Sequence, residues 1–497
     1  MTRALGPRLG SDPVWRLPAL WMTFALLAVG LVVIGTGHTF AIRIPLALTA
    51  SIVLFTAHGL LVFLLVRGLD LPVPRPRLLV GVAVGWGGLV AAGLTYFANA
   101  QLDAVLVKVA APRFVAAWSS AVEAPVTEES LKALGVATVV LLARRRLTGA
   151  SDGLFYGALV GLGFADIEDI HQALVAAAGQ PRDSTLAAVL YLLGRGLLWG
   201  WAMHVPWTAV AGAGVVWAAV RRERPLPARL GVALLALLAA AALHALWDSP
   251  LGWSDTDFGR TALVMLAILA PVGVLTWLAL RDQARRFAGE LGGLADPTLA
   301  DAAEIAALGS PLRRFGVCWN AYVLAGRGGL RAVRRLQGAQ AALAVALAVG
   351  HGAVGHAAVG HGTDEGGADE ARAVGERVRD ARQRLEQLVS PATVAWRAGG
   401  RGSVMGWIAL GSAVVALAGL PVAWAVGGMW QDQATLATVV GASAGLAALA
   451  VQLCLPEVQR ARESGVTTDI WLGVAQLLGL VGLGLAGVLG LALLGIR

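Results

Sequence analysis

Charge is scarce in this 497-residue chain, and that scarcity narrows its class before any motif is read. Only 14% of residues are charged while 57% are hydrophobic, and the mean hydropathy of +0.71 lies well outside the soluble range. Lysine occurs only at Lys108 and Lys132, so the formal charge of +8 is carried by arginine. Cys318 and Cys454 stand far apart without C-x-x-C spacing, which supports neither a disulfide framework nor a cysteine metal site. Alternating strand-length patterns are missing, which argues against an outer-membrane barrel. The arginines sit beside apolar runs rather than along one stripe, so no nucleic-acid partner is expected.

What is present is a succession of apolar runs of about 20 residues, the length that crosses a bilayer as a helix. Eight fall in the first half, at 18–37, 46–66, 78–98, 124–143, 153–178, 186–220, 229–248 and 261–280. Three more follow at 404–427, 435–455 and 471–494. The expected fold class is therefore all-α, a polytopic transmembrane helical bundle. The first run follows Arg3, Arg8 and Arg16, but it is too long for a signal peptide and lacks a small-x-small cleavage site.

Arginines gather after the second, fourth, sixth and eighth spans, as in Arg144, Arg145 and Arg146, and the alternate loops hold few cations. That asymmetry places the N-terminus in the cytoplasm of a multi-pass protein of the inner (cytoplasmic) membrane. The lipid bilayer is thus the first partner. Richness in Ala, Gly and Arg suggests a GC-rich bacterial genome. Three regions follow: a bundle at 1–280 with its motif core at 123–250, a cytosolic helical hairpin at 281–403, and a three-helix membrane module at 404–497. Within the hairpin, 350–367 reads as a flexible Gly-rich loop with His351, His356 and His361 five apart. Metal ligands on one helical face would prefer spacings of three or four, so the repeat reads as a duplicated loop.

Ionisable residues inside spans are costly and are usually paired or functional. Here they crowd four successive spans. Glu128 and Glu129 precede Lys132 by four and three residues, so one ammonium can contact both carboxylates on a helix. The next span carries Phe164, Asp166, Glu168, Asp169 and His171; the following ones carry Arg195 and His204, then His244 and Asp248. Counting from the cytoplasmic end of each span puts Glu128, Glu168, His204 and His244 at one depth, about 23–26 Å up at the helical rise. In a core about 30 Å thick that is a plane near the outer face. Trp199, Trp201, Trp207, Trp247 and Trp253 read as an aromatic belt at that interface.

Glu and His at one level suit activation of a water, with a carboxylate as general base and His polarising a carbonyl or binding metal. With zinc, His204, His244 and a Glu would be ligands, leaving one position for water. Asp248, one turn beyond His244, would orient its ring. Arg195 has Asp166 or Asp169 as partners within reach. His171 is a candidate extra ligand or an interfacial residue. Each member has a structural reading of its own, Glu128 with Lys132 as an ion pair above all; the set carries more than its members.

Glu128-Glu129-Ser-Leu-Lys132 resembles the EExxK motif of PrsW-type intramembrane peptidases, relatives of CAAX-processing and bacteriocin-processing membrane proteases. Asp152-Gly-Leu-Phe-Tyr-Gly157 with Gly161-Leu-Gly-Phe164-Ala-Asp-Ile-Glu168 resembles that family's second block. His204 with Thr208 resembles the third, and His244-Ala-Leu-Trp-Asp248 the last. Asp169 and Asp248 stand where Asn is common, which adds charge. The resemblance implies hydrolysis of a peptide bond in a single-span, anti-sigma-factor-like membrane substrate. It implies Glu128 as base, with Glu129 and Lys132 in support. Glu168, His204 and His244 would hold the water or a metal (zinc being the candidate), a metal-free glutamate mechanism standing as the alternative. A proton-coupled transporter would need mid-membrane sites and an internal repeat, and neither is visible. A non-catalytic membrane scaffold is the other alternative.

Overall fold

Proline in the first turn, where its missing N–H costs nothing, opens several of the apolar helices. They include α1 (Pro18–Gly37), α2 (Pro45–Leu69) and, further along, a helix whose second residue is Pro227. The structure, a computed structural model, describes residues 14–70, 72–143, 147–179, 203–252, 258–294, 296–357, 365–388, 408–414, 433–464 and 473–483. It also describes positions 185, 188, 191, 192, 195, 196 and 200. Among the described residues no strand occurs, and six helices are long and apolar enough to cross a bilayer. These are Pro18–Gly37, Pro45–Leu69, Arg77–Val109, Leu226–Asp248, Gly259–Gly292 and Val440–Arg460.

Two compact units divide the chain: Met1–Arg67 with Arg75–Ala279, and Gly68–Pro74 with Leu280–Gly495. In the first, α3 (Arg77–Gly85) passes through a π turn at Trp86–Ala91 into α4 (Ala92–Val109). Then come α5 (Pro112–Ala143), α6 (Ala150–Ala178), α7 (His204–Val220), α8 (Leu226–Asp248) and, as far as Ala279, α9 (Phe258–Gly292). The expected spans at 124–143 and 153–178 lie on α5 and α6. The expected 186–220 span does not run unbroken, because Met203 leaves the helical region (φ −98°, ψ −137°) and α7 begins at His204. The continuous apolar pattern through this stretch hid the break.

Helix α6 is the centre of this unit. All its residues from Ser151 to Phe164 are buried. Its Gly153, Gly157 and Gly161 recur every four residues and bring the α7 backbone close: added Cβ atoms would lie 2.2, 2.3 and 2.3 Å from the carbonyl oxygens of Gly212, Thr208 and His204. Small residues at this spacing are how helices approach in lipid, where apolar burial gives no drive of its own. Across α6, a Cβ on Gly163 would fall 2.0 Å from the Val84 oxygen, next to the π turn. At its N-terminus Asp152 accepts from the Thr148 and Gly149 amides and pairs with Arg75 at 2.5 Å. The Arg75 guanidinium also lies over Phe155, 4.8 Å from the ring centroid.

The outer helices turn apolar side chains outward. On α8, Leu230, Leu234, Leu235 and Leu238 are exposed, as are Leu263, Leu266 and Val274 on α9. Patches of this size would drive association in water and are ordinary against acyl chains. The belt expectation is corrected at two positions: Trp207 and Trp247 are buried in the protein. Trp199, Trp201 and Trp253 lie outside the described residues.

The second unit contains α10 (Ala302–Leu308), α11 (Pro311–Ala357), α12 (Glu365–Glu386) and α13 (Gln433–Ser464). Here α11 and α12 pack through Leu336, Leu343, Val374, Val378 and Leu385. A kink at Gly326 (φ 59°, ψ −149°) uses a conformation open to glycine. The Arg314 guanidinium donates to the carbonyls of Leu308 and Asp70 at 2.7 and 2.9 Å. Asp296 lies outside the candidate spans, and the Thr298 hydroxyl with the Arg379 guanidinium holds its pKa down to about 2. The expected loop at 350–367 is shorter than read: α11 continues to Ala357, carried by its Ala-rich approach, and α12 starts at Glu365. His361 lies outside the described residues, as do most of 404–427 and parts of 471–494.

Candidate functional site

Four helices of the first unit supply the cluster, joined by Arg195 from the segment between α6 and α7. Pro125 within α5 removes the amide that would bond the Ala121 carbonyl, one turn before the acidic pair. Helical spacing then stacks Glu128, Glu129 and Lys132 on one face. The Lys132 ammonium is fully buried and donates to Glu128 Oε2 at 3.1 Å and Glu129 Oε1 at 2.8 Å. It also bonds His204 Nδ1 at 3.0 Å and sits 3.8 Å from the Phe164 ring centroid. An ammonium can only donate, so His204 Nδ1 accepts and the ring proton sits on Nε2. That nitrogen abuts Glu168 Oε2. Glycine-mediated approach of α7 to α6 is what brings His204, the first residue of α7, to this place.

Glu129 is the hub. Besides Lys132, its carboxylate contacts His244 Nδ1 at 3.1 Å and accepts from the Thr208 hydroxyl at 3.3 Å. His244 Nε2 lies 3.2 Å from Asp248 Oδ2, the i,i+4 partner read from the sequence. Carboxylates at both nitrogens suit a doubly protonated ring; as a metal ligand His244 would give up one of these bonds. Its ring stacks on Trp207, centroids 4.2 Å apart. Arg195 bridges Glu168 and Asp169, each at 2.7 Å. Of its two expected partners it therefore takes Asp169 and not Asp166, whose carboxylate lies against Gly59 of α2.

The structure thus brings together Glu128, Glu129, Lys132, Phe164, Glu168, Arg195, His204, His244 and Asp248. His171 stands apart from this cluster and bonds His38 at 2.8 Å. Asn99 and Thr127 were missed by sequence reasoning. Asn99 Nδ2 donates to Glu128 Oε1 at 3.3 Å, and Thr127 bonds Asn99 Oδ1. The available signal was an amide one residue past the expected 78–98 span, within the apolar helical run Arg77–Val109. A cleft of about 210 Å³ reaches Glu128 and Glu168 between α1, α4 and α6.

A metal fits the donor set, with one difference from the expected ligands. Donor atoms of Glu128, His204 and His244 all lie within 4.8 Å of one another, whereas Glu168 is engaged by Arg195. Two imidazoles and a carboxylate are a set that catalytic zinc takes. The cluster's five carboxylates (Glu128, Glu129, Glu168, Asp169, Asp248) face two permanent cations, Lys132 and Arg195, which further favours a cation. Lys132 bonds two of the three ligand residues, so a metal would compete with its ammonium.

Fold and site define a multi-pass helical membrane protein that buries a cluster of carboxylates and histidines, able to hold a metal, among its helices. Residues 75–276 match the model of the PrsW family of intramembrane metalloproteases, so the resemblance carried by the four sequence blocks is to that family. Comparison with curated proteins and with solved structures gives no match.

Proposed function

We propose that the chain is an intramembrane endopeptidase. It cleaves a membrane-anchored protein, single-span and anti-sigma-factor-like, near the extracytoplasmic side, with its own N-terminus in the cytoplasm. The observation that carries this reading is the position of Glu128. Its carboxylate borders the cleft while Oε2 lies 3.1 Å from Lys132 and 3.9 and 4.0 Å from His204 and His244. A carboxylate so placed can take a proton from a water as that water attacks the scissile carbonyl carbon. As Glu128 takes up that proton it loosens its hold on the Lys132 ammonium, whose freed N–H is then a donor for the oxyanion that forms. Glu128 then returns the proton to the departing amine, so water is added across the C–N bond. Glu129 holds Lys132 and His244 in place, and Glu168 with Arg195 fixes His204. In the alternative, a divalent metal held by Glu128, His204 and His244 would supply Lewis acidity and an acidified water, with Glu128 a ligand and not the base.

The test is reconstitution in liposomes with a single-span substrate, comparing wild type with Glu128→Gln, Glu168→Ala and His244→Ala. Glu128→Gln is expected to lose about 10²–10⁴-fold in rate. Normal cleavage by all three variants would overturn the proposal. Metal content of the purified protein, with chelator sensitivity, separates the zinc form from a metal-free glutamate mechanism.

A further inference from the structure

The cleft that leads to Glu128 has a polar wall with no part in the chemistry above. Its outer end is marked by Tyr96, 58% exposed, and its inner end by Glu128, 6% exposed. Between them the lining mixes small and polar residues, with Gly37, Gly93, His38, Thr95 and His171 among them, around a volume of about 210 Å³.

Asn99 stands on this wall and acts on the carboxylate at its end. Glu128 Oε2 faces Lys132 and the histidines; Oε1 faces Asn99 Nδ2 at 3.3 Å. With Nδ2 toward Glu128 the amide offers a donor to an ionised carboxylate, which only accepts. The Thr127 hydroxyl bonds Asn99 Oδ1 and closes a chain Thr127–Asn99–Glu128 between α4 and α5. Neither Asn99 nor Thr127 reaches Lys132, His204 or His244 by any hydrogen bond among the described contacts. Their effect on the site passes through Glu128.

We propose that Asn99, braced by Thr127, is a positioning residue that turns Glu128 toward this cleft, through which the substrate reaches it. The inference rests on the proteolytic reading. Its consequence is a split in kinetics: misplacing Glu128 slows the chemical step while the cleft still binds substrate.

The experiment uses the full chain in liposomes with a single-span substrate. Asn99→Leu, nearly isosteric, is expected to lower kcat about 10–100-fold with KM within about threefold of wild type. Thr127→Val is expected to lower kcat about fivefold, and Thr127→Ser, which keeps the hydroxyl, to restore it. A photo-cross-linking residue at Tyr96 in the Glu128→Gln background should capture substrate; the same residue at the outward-facing Leu234 should not. If wild type cleaves while Asn99→Leu and Thr127→Val both match it, or capture occurs at 234 and not at 96, the cleft assignment is overturned and proteolysis stands. If wild type and Glu128→Gln are equally inactive on every substrate offered, the proteolytic reading fails and the positioning role goes with it. Should Asn99→Leu not fold, the Thr127→Val and Thr127→Ser pair still decides the matter.

Discussion

Replacing Lys132 with Met keeps the length of the side chain and removes its charge. The ammonium is wholly buried and lies 2.8 Å from Glu129 and 3.1 Å from Glu128. At an effective dielectric of about 20, each contact is worth about 5–6 kcal/mol of Coulomb attraction before desolvation is counted. Removing one partner of a buried set leaves uncompensated charge, and the net cost is about 3–5 kcal/mol. For a unit of this size that is a fall in Tm of about 6–20 °C. Thermal unfolding in detergent, followed by tryptophan fluorescence, reads it. The double variant Glu129→Gln/Lys132→Met removes a carboxylate along with the ammonium and should recover about half the loss, about 2 kcal/mol. The reasoning is refuted if Lys132→Met melts within 2 °C (about 1 kcal/mol or less) of wild type, or if the double variant melts no higher than the single one.

Gly157→Leu should destabilise the first unit by about 1–3 kcal/mol or more, because its Cβ would meet the Thr208 oxygen at 2.3 Å. Gly231→Leu, with open space around it, should leave the melting temperature unchanged. Asp152→Ala removes an ion pair and two amide acceptor bonds at the start of α6 and should cost about 3 kcal/mol by the same melt. In the second unit the folded pKa of Asp296 is held to about 2, below its unfolded value of 3.8. Its contribution is therefore fully present above about pH 4 and is lost as pH falls toward 2. Acid titration of unfolding should show this decline, and Asp296→Asn should flatten it.

The membrane class, six of the span positions and the meeting of the acids with the histidines were all legible. Apolar runs report themselves by length. The agreement in depth of Glu128, Glu168, His204 and His244 follows from the fixed rise of a helix, which survives without knowledge of packing. Angular position does not survive in that way. Nothing in the spacing says that Arg195 chooses Glu168 and Asp169 over Asp166, since that depends on which face of α6 turns to α2. Nor does it say that Glu128, rather than Glu168, shares donor range with both histidines. Trp207 and Trp247 illustrate the same limit, because an aromatic near a span end reads as interfacial whether it faces lipid or a histidine. The break before His204 was hidden by an apolar pattern that continues through it.

The π turn at Trp86–Ala91 has a rotational consequence. One residue beyond the helical repeat turns everything after it by about 100° around the axis. Trp86 anchors the turn by donating to the Leu131 carbonyl of α5 at 2.9 Å and packing over Gly135. Downstream lies Asn99, whose bond to Glu128 depends on that phase. Deleting a single residue between 86 and 91 would leave the span long enough to cross the bilayer and just as greasy. It would also swing the amide a quarter-turn or so off its carboxylate. The helix keeps time for the site, and one beat lost there would be heard at Glu128.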